Sequence, residues 1–153
     1  MFEFSRFYER IGAEKPSKEN VGQCFSQAVA LLSNLGTVKV VNECHGLEVV
    51  ADSLLIQLFY NLIDNSLKHG EKATQIRLRC NKDGEGVKLV YEDNGVGVPE
   101  ANKPKLFEIG FTTGKGGGLG LYLVKKLMDV YGWAIQETGE TGKGAKFSIT
   151  IPK

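Results

Sequence analysis

Apolar and polar positions alternate with helical spacing most clearly over residues 51–70, ADSLLIQLFYNLIDNSLKHG. Leu54, Leu55, Leu58, Phe59, Leu62, Ile63 and Leu67 fall on one face of a single helix. Asp52 is a suitable N-cap, and nothing breaks the run until Gly70, which suits a C′ position. The same period runs through residues 20–35 (Val21, Cys24, Phe25, Ala28, Leu31, Leu32), ending at Gly36. It returns over residues 119–131, with Leu121, Val124, Leu127, Met128 and Tyr131 on one side. Near the start, Phe2, Phe4, Phe7, Tyr8 and Ile11 can close a helix begun upstream, before Gly12 and Pro16 break it. Residues 1–12 are therefore expected to be the tail of a preceding helix and 13–153 one domain; a native start at Met1 is equally compatible.

Short β-type runs occupy residues 38–41 and 47–50, around a turn at His45-Gly46. Residues 75–80 and 87–91 are joined by Asp83-Gly84-Glu85-Gly86 as a hairpin, and 133–137 and 146–151 flank a loop between Gly139 and Gly144. Residues 94–118 hold little regular structure, with Pro99, Pro104 and glycines at 95, 97, 110, 114, 116, 117 and 118. This order predicts an α/β (α+β) two-layer sandwich, one mixed sheet covered by helices on a single face.

With 153 residues, 42% of them hydrophobic, the chain is long enough to bury a real core without staples. A net charge of +1 gives no reason to expect nucleic acid or an anionic membrane as partner. Cys24, Cys44 and Cys80 are odd in number and lack CxxC spacing, so neither a disulfide framework nor a zinc site is expected. A reducing, cytoplasmic compartment fits them best. No apolar run approaches the ~20 residues that span a bilayer, and no signal-peptide pattern is present.

Candidate chemistry begins on the organising helix. Asn65 projects into the edge of the apolar face, with Asn61 one turn before it and Lys68 one turn after. Either Asn65 is satisfied by neighbouring backbone and Lys68 is solvated, or the row faces a metal-bound polyphosphate. Asp93-Asn94-Gly95-Val96-Gly97 follows a predicted strand. It reads as a plain turn, or as a carboxylate that can accept from an adenine 6-amino group, with backbone free to approach a flat ligand. Residues 114–121, GKGGGLGL, lead into a helix and suit either a flexible loop or an anion held by N–H groups at a helix start. Thr112, Thr113 and Lys115 add donors, while Phe107 and Phe111 read as hinge-packing groups. The stretch from Gly110 to Gly116 is not a P-loop: its spacer is one residue short and Gly116 stands where Ser or Thr should be. No GxGxxG follows a predicted strand, which removes a dinucleotide fold.

Together these pieces resemble one family. Asn61-Leu62-Ile63-Asp64-Asn65-Ser66-Leu67-Lys68-His69 is similar to the N box of sensor histidine kinases, and Asp93-Asn94-Gly95-Val96-Gly97 to their G1 box. The run from Lys105 to Gly114 resembles their F box, that from Gly116 to Leu121 their G2 box, and that from Gly142 to Phe147 their last glycine motif. Order and spacing agree from about residue 20 to 152. The resemblance implies the ATP-binding catalytic domain of the GHKL superfamily, with its Bergerat fold and with ATP and Mg2+ as ligands. By position, Asn65 would supply the magnesium oxygen and Lys68 a phosphate contact, while Asn61 and His69 would flank the nucleotide. Asp93 would take the adenine amino group, and Gly95 and Gly97 would leave room for the base. Thr112, Thr113, Lys115, Gly116, Gly118, Leu119, Gly120 and Leu121 would belong to a mobile lid over the phosphates.

Two departures stand out. Ala145 occupies a position where the family often has Thr or Ser supporting the adenine network, and the segment between Pro99 and Gly116 is short, like that of the nitrogen-regulatory kinases. Of the two histidines, His45 lies in a turn and His69 at a helix end, and neither resembles a phosphoacceptor motif. The resemblance therefore implies a partner: a His-containing dimerisation domain, in the same full-length homodimeric kinase, whose helix would end at residues 1–12. A response regulator receiver domain would follow. No nucleic acid or membrane contact is expected of this domain, though the full-length protein could be membrane-anchored or soluble. Rivals are a GHKL-type ATPase, a serine-kinase anti-sigma factor and a non-catalytic nucleotide-sensing module. The first uses, and the second would be expected to want, a carboxylate where this chain has Asn61.

Overall fold

The computed structural model describes residues 9–69, 72–84, 86–111 and 120–152. In chain order the elements are β1 (Ser17–Asn20), α1 (Val21–Ala30), β2 (Lys39–Asn42), β3 (Glu48–Ala51), α2 (Leu55–His69), β4 (Gln75–Asp83) and β5 (Gly86–Asp93). A short 3-10 helix (Glu100–Lys105), α3 (Gly120–Tyr131), β6 (Ala134–Glu137) and β7 (Lys146–Pro152) complete it. Strand order in the main sheet is β2-β4-β5-β7-β6. β2 runs parallel to β4, and the other pairs are antiparallel.

Strand alternation decides which face the helices cover. Ile76 and Leu78 on β4, Leu89 and Tyr91 on β5, and Phe147, Ile149 and Ile151 on β7 are buried. Arg79, Lys88 and Thr150, one residue out of phase, are exposed. α2 lays Leu55, Leu58, Phe59, Leu62 and Ile63 onto the buried side, and α1 and α3 flank it. Phe25 of α1 meets Phe59 edge-on at 5.5 Å between centroids and Tyr91 at 6.5 Å, joining two helices to the sheet. The expected two-layer sandwich is the observed one.

Several boundaries moved for identifiable reasons. α1 stops at Ala30, not at 35: the Leu31 and Leu32 N–H groups turn back to Ala28 and Val29, three residues earlier, and Leu31 is exposed. Asp52 does start α2, but the regular helix begins at Leu55; its carboxylate accepts from Leu54 N–H and its carbonyl from Leu55 N–H. β3 does not join the main sheet. It pairs antiparallel with β1, whose sequence Ser17-Lys18-Glu19-Asn20 carries no apolar alternation to announce a strand. The Tyr131 hydroxyl donates to Asp52 at 2.5 Å, tying the end of α3 to the start of α2. Of the segment expected as a helix tail, residues 1–8 lie outside the described residues; Glu9 and Arg10 are helical. Just beyond, Glu14 accepts from both the N–H and the hydroxyl of Ser53. No described helix is long and apolar enough to cross a membrane.

The cysteines correct one expectation. In the parallel pair, Lys39 lies beside Gln75 and Asn42 beside Leu78, and Glu43 N–H continues the ladder to Leu78 carbonyl. The same offset brings Cys44 beside Cys80, where they form a disulfide with Cα atoms 5.3 Å apart. Residue spacing alone could not show this, because it follows from a strand register. Cys24 is the free cysteine among the described residues, and burial, then the charge of Glu19, pushes its thiol up to about 11.

The bridge closes a loop across 36 residues of sequence, which the chain-entropy relation values at about 4 kcal/mol. Reduction should therefore lower the melting temperature by about 10 °C, read by calorimetric scans with and without reductant. An unchanged transition in protein whose intact mass confirms free thiols would contradict that stabilisation.

Candidate functional site

The site is built around Asp93, the last residue of β5, which is 7% exposed. A carboxylate so placed must find donors, since an unpaired buried charge is very costly. Its Oδ1 accepts from the Gly95 N–H (2.9 Å) and the Ala145 N–H (3.1 Å), and its Oδ2 accepts from the Ser66 hydroxyl at 2.6 Å. Asp93 also donates its own N–H to the Ala145 carbonyl, so the two residues grip one another. The turn, the lead-in to β7 and α2 thus converge on a single side chain.

Backbone closeness makes this possible. Gly144 has φ +114°, and a Cβ on it would run into the Asp93 carbonyl. Gly97, at φ +76°, faces the loop that ends at Gly144: a Cβ there would lie 3.0 Å from the carbonyls of both Glu140 and Gly144. Gly142 N–H bonds the Val96 carbonyl at 2.7 Å, fastening the two loops together. Gly95 is buried, its N–H committed to Asp93. Beside them Asn94 caps β4, accepting from Thr74 and Gln75 N–H.

On α2, Asn61 is 5% exposed, and its Nδ2 is buried with no partner. Gln57 Oε1, one turn earlier, is likewise buried without one. Asn65 is half-buried, and no hydrogen bond joins its side chain to the described residues. The buried orphan atoms of Gln57 and Asn61 cost about 1–3 kcal/mol each, and they fit a site whose partner is a polar ligand. The amide oxygen of Asn65 is a hard donor of the type magnesium takes. Lys68, 44% exposed, pairs with Asp64 at 2.9 Å; such a surface pair contributes little, so its ammonium can be given up to a phosphate. His69 is half-buried at the helix end.

Gly120 and Leu121 open α3. Thr112, Thr113, Lys115, Gly116, Gly118 and Leu119 lie outside the described residues. Earlier in the chain, Lys103 of the 3-10 helix reaches Glu137 (2.7 Å), Gly139 carbonyl (2.6 Å) and Glu100 (3.3 Å). The bond to Glu137 is the first cause holding its ammonium above the usual lysine range. This anchor pins the segment after the glycine turn to the loop after β6.

Sequence reasoning missed Ser66 and Tyr91. Ser66 falls on the apolar face between Leu62 and Leu67, and a hydroxyl there demands a partner, the one signal that pointed to it. Tyr91 is fully buried; its hydroxyl lies 2.8 Å from Ser66 Oγ and 3.1 Å from the Leu62 carbonyl. Burial holds that phenol far above its ordinary value; the bond to Ser66 opposes this, and the charge of Asp93 adds to it.

Comparison with known proteins agrees with this layout. Residues 50–153 match the model of the family described as histidine kinase-, DNA gyrase B- and HSP90-like ATPase. The alginate biosynthesis sensor protein KinB of Pseudomonas aeruginosa is 35% identical over 95 residues, 60% of this chain and 16% of that protein. The chain therefore spans less than a fifth of that relative's length. The catalytic domain of histidine kinase ThkA superposes with a TM-score of 0.79 at 25% identity, covering 92% of this chain and 97% of that one. Full-length ShkA, solved in complex with AMPPNP, gives 0.78 at 25% identity, covering 97% of this chain and 34% of its own.

Gly144 tests the anchor. Gly144→Ala should cost about 2–4 kcal/mol by urea unfolding, from strained φ and a displaced Asp93. Gly142→Ala, also at positive φ (+89°) but with nothing within 4 Å of its Cβ, should cost only about 1 kcal/mol. Equal losses at the two positions would contradict the close approach.

Proposed function

This chain belongs to the family of histidine kinase-, DNA gyrase B- and HSP90-like ATPases; from that membership we propose that it binds Mg-ATP and offers the γ-phosphoryl group to a histidine on a separate helical dimerisation domain. It is the ATP-binding domain of a sensor-kinase type. The proposed acceptor domain belongs to the same homodimeric protein, on its cytoplasmic side, and a response regulator receiver domain then takes the phosphoryl group.

One observation carries the reading: a buried Asp93 with three of its acceptor positions filled by protein donors and one, on Oδ2, left over. That remaining lone pair suits the 6-amino group of adenine. Along α2, Asn61 and Asn65 supply the amides and Lys68 the cation for the polyphosphate. Magnesium, held by Asn65, would neutralise phosphate charge; the chain's own residues bind and orient the nucleotide. Asn61 favours a kinase over a hydrolase. Its carboxamide cannot take a proton from water at neutral pH, whereas a neutral imidazole is already a nucleophile.

Asn65→Ala should abolish the magnesium dependence of ATP binding by titration calorimetry while the circular dichroism spectrum stays unchanged. Retained magnesium dependence in that variant sinks the metal assignment.

The reaction itself is tested in trans. The isolated chain should bind ATP yet neither turn it over appreciably nor label itself. Adding a matching His-containing helical domain should produce an acid-labile phosphorylated species on that domain. Sustained ADP production by the chain alone, abolished by Asn65→Ala, would move the reading to the hydrolase.

A further inference from the structure

We propose that Ser66, backed by Tyr91, is a positioning residue that aims the free lone pair of Asp93 at the base and so sets the preference for a purine carrying a 6-amino group. The inference rests on the reading of Asp93 as the acceptor of that amino group, and it assigns a role to a hydroxyl otherwise unaccounted for.

Proton counting gives the pair a direction. A carboxylate only accepts, so across the 2.6 Å contact Ser66 must spend its one proton on Asp93 Oδ2. The 2.8 Å contact between Ser66 and Tyr91 then requires Tyr91 to donate. Serine inside a helix ordinarily bonds back to the carbonyl four residues earlier, which here is Leu62. The single Tyr91 proton is shared between Ser66 Oγ at 2.8 Å and the Leu62 carbonyl at 3.1 Å, so that carbonyl is already engaged and the serine proton is left to the carboxylate. All three side chains are buried, Ser66 at 2% exposure, so water does not compete freely for these positions.

The two backbone N–H groups on Oδ1 fix where that oxygen lies, and Ser66 fixes the plane of the carboxylate. Rotation about the last Asp torsion is soft, and only a donor on the second oxygen removes it. Ala145 contributes its backbone N–H alone, where the family resemblance leads one to expect a hydroxyl. Here the hydroxyl reaches Asp93 from the helix side instead.

The test uses titration calorimetry on the 153-residue chain with ATP and with purine riboside triphosphate, which differs only in lacking the 6-amino group. The parent should prefer ATP by about tenfold or more. Ser66→Ala should weaken ATP binding about three- to tenfold and leave purine riboside triphosphate within about twofold, narrowing the ratio. Tyr91→Phe keeps the ring and the serine but frees the Leu62 carbonyl to attract Ser66, so it should narrow the ratio in the same direction by a smaller factor. Equal losses for both nucleotides in Ser66→Ala would mean a merely structural serine and overturn the proposal, as would an unchanged ratio in both variants. A parent with no preference for ATP overturns the Asp93 reading itself, and that outcome is seen before any variant is made.

Discussion

A buried carboxylate at the end of a central strand constrains everything around it. Asp93 has to be met by donors, and they arrive from a turn, a strand lead-in and a helix that are far apart in sequence. Each donor fixes the segment that carries it to within hydrogen-bond distance. The Ala145 contact forces the chain so close that the preceding residue has no room for a side chain, hence Gly144. The Ser66 contact holds α2 at one height above β5, and with it Asn61 and Asn65. The geometry of the site is thus largely a consequence of satisfying one side chain.

The same helix pays its way in the core. Leu55, Leu58, Phe59, Leu62 and Ile63 are fully buried, each contributing about 1.5–3 kcal/mol. That sum offsets unpaired amides on the neighbouring stripe, where Gln57 and Asn61 hold orphan polar atoms at about 1–3 kcal/mol each. Because a helix turns 100° per residue, a stripe of core and a stripe of site are necessarily adjacent. A helix less well buried could not keep such groups unsatisfied and in place.

What could be read from the sequence follows the range of the interactions. The period of α2, the strands on either side of the Asp83-Gly84 turn and the motif residues Asn61, Asn65 and Asp93 are local patterns, and they were legible. The pairing of β1 with β3 was not, because β1 is polar and its partner lies about thirty residues away. Nor was the Cys44–Cys80 bridge, which depends on the register of a parallel pair. Ser66 stands within a local motif, but its partners Tyr91 and Asp93 lie on another element, so no local pattern announces them. The overestimated end of α1 has a simpler cause: Leu31 and Leu32 continue the apolar period, but the bonds have already shortened to three-residue spacing.

The arrangement also divides labour in a way the chemistry explains. Phosphoryl transfer asks a protein mainly for positioning and charge neutralisation, and amides, an ammonium and an anchored carboxylate can supply these. It asks for a general base only when the attacking group is weak, as water is. With Asn61 buried at the position where a hydrolase would need a carboxylate, α2 offers nothing that could take a proton from water there. A neutral imidazole needs no such help, because its ring nitrogen attacks without first losing a proton. An acceptor that brings its own nucleophilicity therefore suits the proposed reading, in which the phosphoryl group goes to a histidine.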